Sequence, residues 1–179
     1  MQMNNLDEIV VGGGCFWCVE AILKELKGVE KIESGYSGGN APGKPNYREV
    51  CSGLTGHAEV VKVSYDETLI TLHDLLVVFM TSHDPTTLNR QGGDIGTQYR
   101  SVVFYKSNEE KLTANSVINE LKSYYQDPIL TEVSPLINYF EAEDYHQNYY
   151  EQNKSQSYCA AVITPKLTKL RKLYADKLK

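Results

Sequence analysis

Ile9-Val10-Val11-Gly12-Gly13-Gly14-Cys15-Phe16-Trp17-Cys18-Val19-Glu20-Ala21-Ile22-Leu23 joins a short apolar run to an amphipathic segment across three glycines. A β-branched run bounded by glycine reads as a strand, and Val19, Ile22, Leu23 and Leu26 then recur at helical spacing. The chain passes from strand to helix with almost no connector, which puts Cys15 at or just before the helix N-terminus. Unpartnered backbone N–H groups and the positive end of the helix dipole favour thiolate there, and thiolate is the nucleophilic form of cysteine.

Working outward, the patterning predicts strand Glu8–Val11, helix Phe16–Lys27, strand Glu30–Tyr36, strand Ala58–Tyr65, helix Leu72–Ser82 and strand Ser101–Tyr105. This β-α-β-β-α-β order is the split-βαβ pattern of a ferredoxin-like α/β (α+β) fold, a two-layer sandwich with its helices stacked on one face of the sheet. Thr71-x-x-Asp74 resembles a capping box before the second helix, and Ser107-x-x-Glu110 opens a further one through about Tyr125. The loops Ser37–Gly56 and Ser82–Gln98 are rich in glycine and polar residues and longer than connectors usually are, a mark of functional segments. After Asp144, tyrosines and amides from Tyr145 to Tyr158 lead to Cys159 with little periodicity, so residues 145–179 are expected to be a coil-rich, mobile tail. Its end, Lys166 to Lys179, alternates lysines and leucines as a helix with a solvated basic face does. No repeat or linker divides the chain, and residues 1–179 are expected to form a single domain.

A chain of 179 residues, 41% hydrophobic and 23% charged, is long enough for a sizeable core. Its net charge of −5 argues against a nucleic-acid or anionic-membrane binder. No apolar stretch approaches a membrane span, and the polar start Met1 to Glu8 lacks the layout of a signal peptide, which makes a cytoplasmic location the expectation. In a reducing cytosol the four cysteines, Cys15, Cys18, Cys51 and Cys159, are buried thiols, metal ligands or redox catalysts rather than a disulfide framework.

Glu59 can be placed from periodicity alone. In the strand Ala58–Tyr65 it shares a face with Val61, Val63 and Tyr65, and a carboxyl on that apolar face has its pKa raised by desolvation and becomes a proton donor near neutral pH. The bland alternative is a solvated edge position, or an ion pair with Arg48 or Arg100. For Cys15 the bland alternative is a small core residue, and for Phe16 and Trp17 core aromatics. Cys15-x-x-Cys18 also raises a disulfide oxidoreductase, although the compact βαβ unit and cis-proline loop expected around such a motif are not evident. A zinc site lacks its second paired knuckle. His57 is read as a loop hydrogen-bonder, His83 as a turn residue before Asp84-Pro85, and Cys51 as structural or incidental.

Gly14-Cys15-Phe16-Trp17-Cys18, Ser34-Gly35-Tyr36-Ser37-Gly38-Gly39, Tyr47-Arg48-Glu49-Val50, Thr55-Gly56-His57-Ala58-Glu59-Val60-Val61, His83-Asp84-Pro85-Thr86, Asn89-Arg90-Gln91-Gly92 and Gly96-Thr97-Gln98-Tyr99-Arg100-Ser101, in this order, resemble the peptide methionine sulfoxide reductase A family. The resemblance runs from about Ile9 to near Leu170. It implies that Cys15 is the nucleophile and Glu59 the acid. Tyr47 and Tyr99 become phenol donors to the sulfoxide oxygen, with Asp94 supporting them, and Phe16 and Trp17 wall a pocket for the substrate methyl group. Cys159, in Ser157-Tyr158-Cys159, matches the family's resolving cysteine, and no further cysteine follows it to relay a disulfide onward, so Cys159 is expected to face the reductant itself unless Cys18 substitutes. The implied substrate is the S epimer of methionine sulfoxide, free or in proteins, and the implied partner is thioredoxin. No flavin, nicotinamide or metal cofactor is expected, since Gly12-Gly13-Gly14 lacks the dinucleotide spacing.

Overall fold

The structure, a computed structural model, describes residues 5–179. Of the polar start discussed above, residues 1–4 lie outside the described residues. In chain order the elements are β1 Asp7–Gly12, α1 Phe16–Leu23, β2 Val29–Ser37, α2 Tyr47–Cys51, β3 Ala58–Tyr65, α3 Leu72–Thr81, β4 Arg90–Gln91, β5 Asp94–Ile95, β6 Val102–Tyr105, α4 Asn108–Leu121, β7 Glu132–Pro135, β8 Phe140–Glu141, α5 Tyr149–Gln152 and α6 Thr164–Leu173. The main sheet runs β7-β6-β1-β3-β2-β8, and β4 and β5 form a separate hairpin. Its four central strands, β6-β1-β3-β2, are antiparallel throughout, the strand order of the ferredoxin-like fold.

One face of the sheet carries Ile9, Val11, Val61 and Val63, which join Leu23, Leu75, Phe79 and Leu167 in the principal core. The opposite face carries Val10, Ala58, Val60, Val102 and Phe104, covered by Leu136 and Tyr139. The central strand β3 is therefore buried on both sides, which makes its sequence nearly continuous in apolar residues. Two predicted caps form: Thr71 Oγ1 accepts from the Asp74 amide at 3.1 Å and Ser107 Oγ from the Glu110 amide at 3.2 Å.

Departures from the predicted elements have local causes. Helix α1 ends at Leu23 rather than Lys27, because Leu26 bridges to Leu178 and the Lys27 amide donates to the Lys177 carbonyl at 2.9 Å. The long loops contain α2 and the β4–β5 hairpin, short elements with too few residues to show a period. The tail is more helical than its composition suggests. It forms a single turn at Asp144–His146, then α5, then a wide helical turn at Cys159–Ile163 that continues into α6. Cys159, Ile163, Leu167 and Leu170 from this segment enter the principal core, so it is a packed layer rather than loose coil. Among the described residues no helix is long and apolar enough to cross a membrane.

Candidate active site

Two glycines bring the strand β1 to helix α1 junction against its neighbours. A side chain at Gly12 would stand 2.6 Å from the Glu59 carbonyl, and Gly14 turns the chain with φ +88°, a conformation that favours glycine. The Gly14 amide is anchored on the Tyr99 carbonyl at 3.2 Å. Cys15 then occupies the N-cap of α1 as expected, with its side chain capping nothing. The Phe16 amide, free of any partner inside the helix, donates to Glu59 Oε1 at 3.1 Å.

Glu59 lies on the predicted face, 1% exposed on a central strand, so neither the edge position nor a pairing with Arg48 or Arg100 describes it. Its Oε2 is buried without a hydrogen-bond partner. Burial raises its pKa to about 8, and the nearby Asp94 adds to the rise. The carboxyl is thus mostly a neutral acid near pH 7, with a proton site on Oε2 that nothing in the protein occupies.

The thiols differ from the sequence-based expectation. Burial, the hydrogen bond to Cys18 and the charge of Glu59 push the Cys15 thiol well above its usual range, and they outweigh the helix N-terminus. Cys15 therefore rests as a thiol rather than a thiolate. Its S–H serves Cys18, which this bond draws down to about 7 with help from Lys166 and Tyr158.

Tyr47 begins α2 and Tyr99 ends a single helical turn at Thr97–Tyr99. Burial, then the charge of Glu59, raises both phenols, which remain protonated donors at neutral pH. Both reach the Cys51 thiol, so Cys51 stands beside the donor pair. Asp94 accepts from the Tyr158 hydroxyl at 2.7 Å, which ties it to the tail, and its charge also adds to the rise of the Tyr99 phenol.

Phe16 is fully buried, its ring 5.7 Å from Tyr36, 6.3 Å from Tyr47 and 4.9 Å from His146. Trp17 is half-buried and held by the tail: its indole N–H donates to His146 Nδ1 at 3.0 Å, and its ring stacks on Tyr149 at 3.7 Å. Glu143 ties this wall together, accepting from the Tyr36 hydroxyl at 2.9 Å and the Tyr47 amide at 3.0 Å. His146, Tyr149 and Glu143 escape sequence reasoning, because the segment carrying them has no period. The density of aromatic residues from Tyr145 to Tyr150 was its one signal.

Cys18, 2% exposed, lines a cavity of about 230 Å³ together with Cys15, Asp94, Tyr158 and Lys166. Cys159 is fully buried and does not line that cavity, so in this conformation it does not face an external reductant. His57 is a loop hydrogen-bonder, accepting from the Gly39 amide at 2.9 Å, and His83 is locked between the Phe79 carbonyl and the Ser101 hydroxyl. Among the described residues no three His, Cys, Asp or Glu side chains converge as metal ligands would.

Comparison with known proteins gives the same fold with the same chemistry named on it. Over 97% of this chain and 98% of the relative, the sequence is 54% identical to a peptide methionine sulfoxide reductase MsrA from Trichodesmium erythraeum. The reduced form of Mxr1 from Saccharomyces cerevisiae superimposes with a TM-score of 0.80, at 35% identity, over 86% of this chain and 89% of that one. Mxr1 in complex with Trx2 matches with a TM-score of 0.56 at 25% identity, over 80% of this chain and 84% of that one. The profile described as peptide methionine sulfoxide reductase aligns with residues 7–178, from the first strand through the end of the tail, and the chain belongs to that family.

Proposed function

We infer that this chain reduces the S epimer of methionine sulfoxide, free or in proteins, to methionine, and that thioredoxin returns it to the dithiol state. The observation that carries the reading is the unequal environment of the Glu59 oxygens. Oε1 is engaged by the amide of Phe16, the residue after Cys15, while Oε2 is buried without a hydrogen-bond partner on a carboxyl that is mostly protonated near neutral pH. Such a carboxyl suits donation to a sulfoxide oxygen.

In this mechanism Cys15 Sγ attacks the sulfoxide sulfur as Glu59 delivers its proton to the oxygen, and the Cys15 proton restores the carboxyl. The Tyr47 and Tyr99 hydroxyls hold the oxygen as its negative charge grows. Phe16 and Trp17 enclose the substrate methyl group. The hydroxyl then passes from the substrate sulfur to Cys15 Sγ as the S–S bond to the substrate and its S–O bond break; methionine leaves and Cys15 becomes a sulfenic acid, which a second thiol converts to a disulfide with loss of water. Cys159, on the tail of residues 145–179, is the recycling thiol of the single catalytic domain, and Asp94 acts on it through Tyr158. The yeast relative seen with Trx2 supports a thioredoxin-type dithiol as reductant, and dependence on that reductant suits the cytoplasm.

The test presents the S and R epimers separately to fully reduced protein and follows methionine by chromatography and Cys15 by mass spectrometry. Methionine from the S epimer alone, with oxidation of Cys15, is the expected result. No methionine from either epimer overturns the reading.

A further inference from the structure

We propose that Cys18 is the thiol that first closes on oxidised Cys15, and that Cys159 receives the disulfide from Cys18 in a second exchange. The proposal rests on the reading of Cys15 as the sulfoxide-reducing thiol. Cys15 at the N-cap and Cys18 on the first turn are i and i+3 neighbours, joined at the backbone by the Cys18 amide donating to the Cys15 carbonyl at 3.1 Å. Their side chains line the same cavity. This spacing at the start of a helix suits the short Cβ–Cβ approach a disulfide requires. Cys159 has a different neighbour: Tyr158, immediately before it, has its hydroxyl 3.7 Å from Cys18 Sγ. The tail thus meets Cys18, and Cys18 meets Cys15.

Reactivity runs in the same order. Cys18, drawn down to about 7, is substantially thiolate at neutral pH, while burial pushes the Cys159 thiol up. A thiol with a pKa near ambient pH is the best placed to attack. In the first step the Cys18 thiolate attacks the Cys15 sulfenic sulfur. The S–S bond forms, the S–O bond breaks, and hydroxide leaves as water after taking one proton. Cys18 is oxidised and Cys15 reduced to the disulfide level. In the second step the Cys159 thiolate attacks Cys18 Sγ and expels Cys15 as thiolate, which takes up a proton. The remaining Cys18–Cys159 disulfide is reduced by the external dithiol, and Cys15 is free before that happens.

The experiment follows one turnover of reduced protein with methionine sulfoxide and no reductant. Samples are quenched over time with acid, with a sulfenic-acid probe or with a thiol alkylator, and mapped by mass spectrometry. In the Cys159→Ser chain a Cys15–Cys18 disulfide forms at the parent's rate and no sulfenic acid accumulates. In the Cys18→Ser and Cys18→Ala chains the methionine burst survives, which reports an intact fold, but sulfenic acid on Cys15 persists and disulfide closure slows by at least about tenfold. Closure of Cys15 onto Cys159 at the parent's rate in either Cys18 variant overturns the proposal, as does accumulation of sulfenic acid in Cys159→Ser. Absence of the methionine burst from the parent chain instead overturns the sulfoxide reductase reading itself.

Discussion

The Phe16 amide and Glu59 are joined by a single 3.1 Å hydrogen bond that spans 43 residues of chain and fastens the start of α1 to the central strand β3. It fixes the carboxyl by one oxygen and leaves the other for chemistry. In Glu59→Gln the amide keeps the size and this bond but has no proton to transfer, so the reductive step is expected to slow by about 10²- to 10⁴-fold with the fold retained. Rapid-quench measurement of methionine formation checks it, and a rate equal to the parent's removes Glu59 from the reaction.

The same carboxyl sets a pH limit. Its pKa in the folded chain is about 8 against an ordinary glutamate value of 4.5, so the acid form dominates at neutral pH and the reductive step falls as pH rises through about 8. Stability follows the same sign. The contribution from neutral Glu59 is full below 4.5 and is lost progressively as pH rises through about 8. Glu59→Gln flattens both profiles, which single-turnover rates and denaturant titrations at several pH values measure.

Cys15→Ser is expected to abolish turnover and sulfenic acid formation, because a hydroxyl cannot supply the polarizable nucleophile the sulfoxide sulfur needs. Methionine production above the uncatalysed background in this variant would show that another group performs the chemistry.

His146→Phe keeps an aromatic ring beside Phe16 but leaves the Trp17 N–H without its acceptor, which costs about 1 kcal/mol for a part-buried donor. Freed from that bond, the indole no longer holds one orientation on Tyr149. The expected signature is a rise in KM for methionine sulfoxide and a shift in Trp17 fluorescence, with sulfenic acid formation at saturating substrate less affected. Since the chain has one tryptophan, the fluorescence reports on this position alone.

Cys159→Ser is expected to yield about one methionine per chain in a single turnover, because the chemical step uses Cys15 and the oxygen-site donors. With thioredoxin, multiple turnover falls steeply. Recycling as fast as the parent's removes Cys159 from the reductive cycle.

Much of this arrangement was legible in the residues. The glycine-led passage from Val11 to Phe16 announces a strand and helix with Cys15 between them, and alternation along Ala58–Tyr65 puts Glu59 among apolar neighbours. Both signals are local, and both survive folding because the strand and helix involved are central. The protonation state of Cys15 was not legible, since it depends on burial and on Glu59, which lies 44 positions away in sequence. The hydrogen-bond partner of Asp94 was not legible for the same reason: Tyr158 arrives from the tail, 64 residues on. From Tyr145 to Tyr158 the tail gave no periodic signal, because its contacts to Trp17, Cys18 and Asp94 are made by single side chains rather than by one face of a long helix.

The chain end is fastened on both sides of Cys159. Upstream, His146 and Tyr149 grip Trp17; downstream, the Lys177 carbonyl accepts from the Lys27 amide and the Lys179 amide donates to the Glu25 carbonyl, each at 2.9 Å. Between these anchors Cys159 begins a wide turn of the kind that interrupts regular helical hydrogen bonding and often marks functional positions. Any motion that brings Cys159 to another sulfur is therefore the local melting of a tethered arc rather than the release of a free arm. Such an arc keeps its thiol at high effective concentration near the dithiol pair, whatever the concentration of protein or reductant around it.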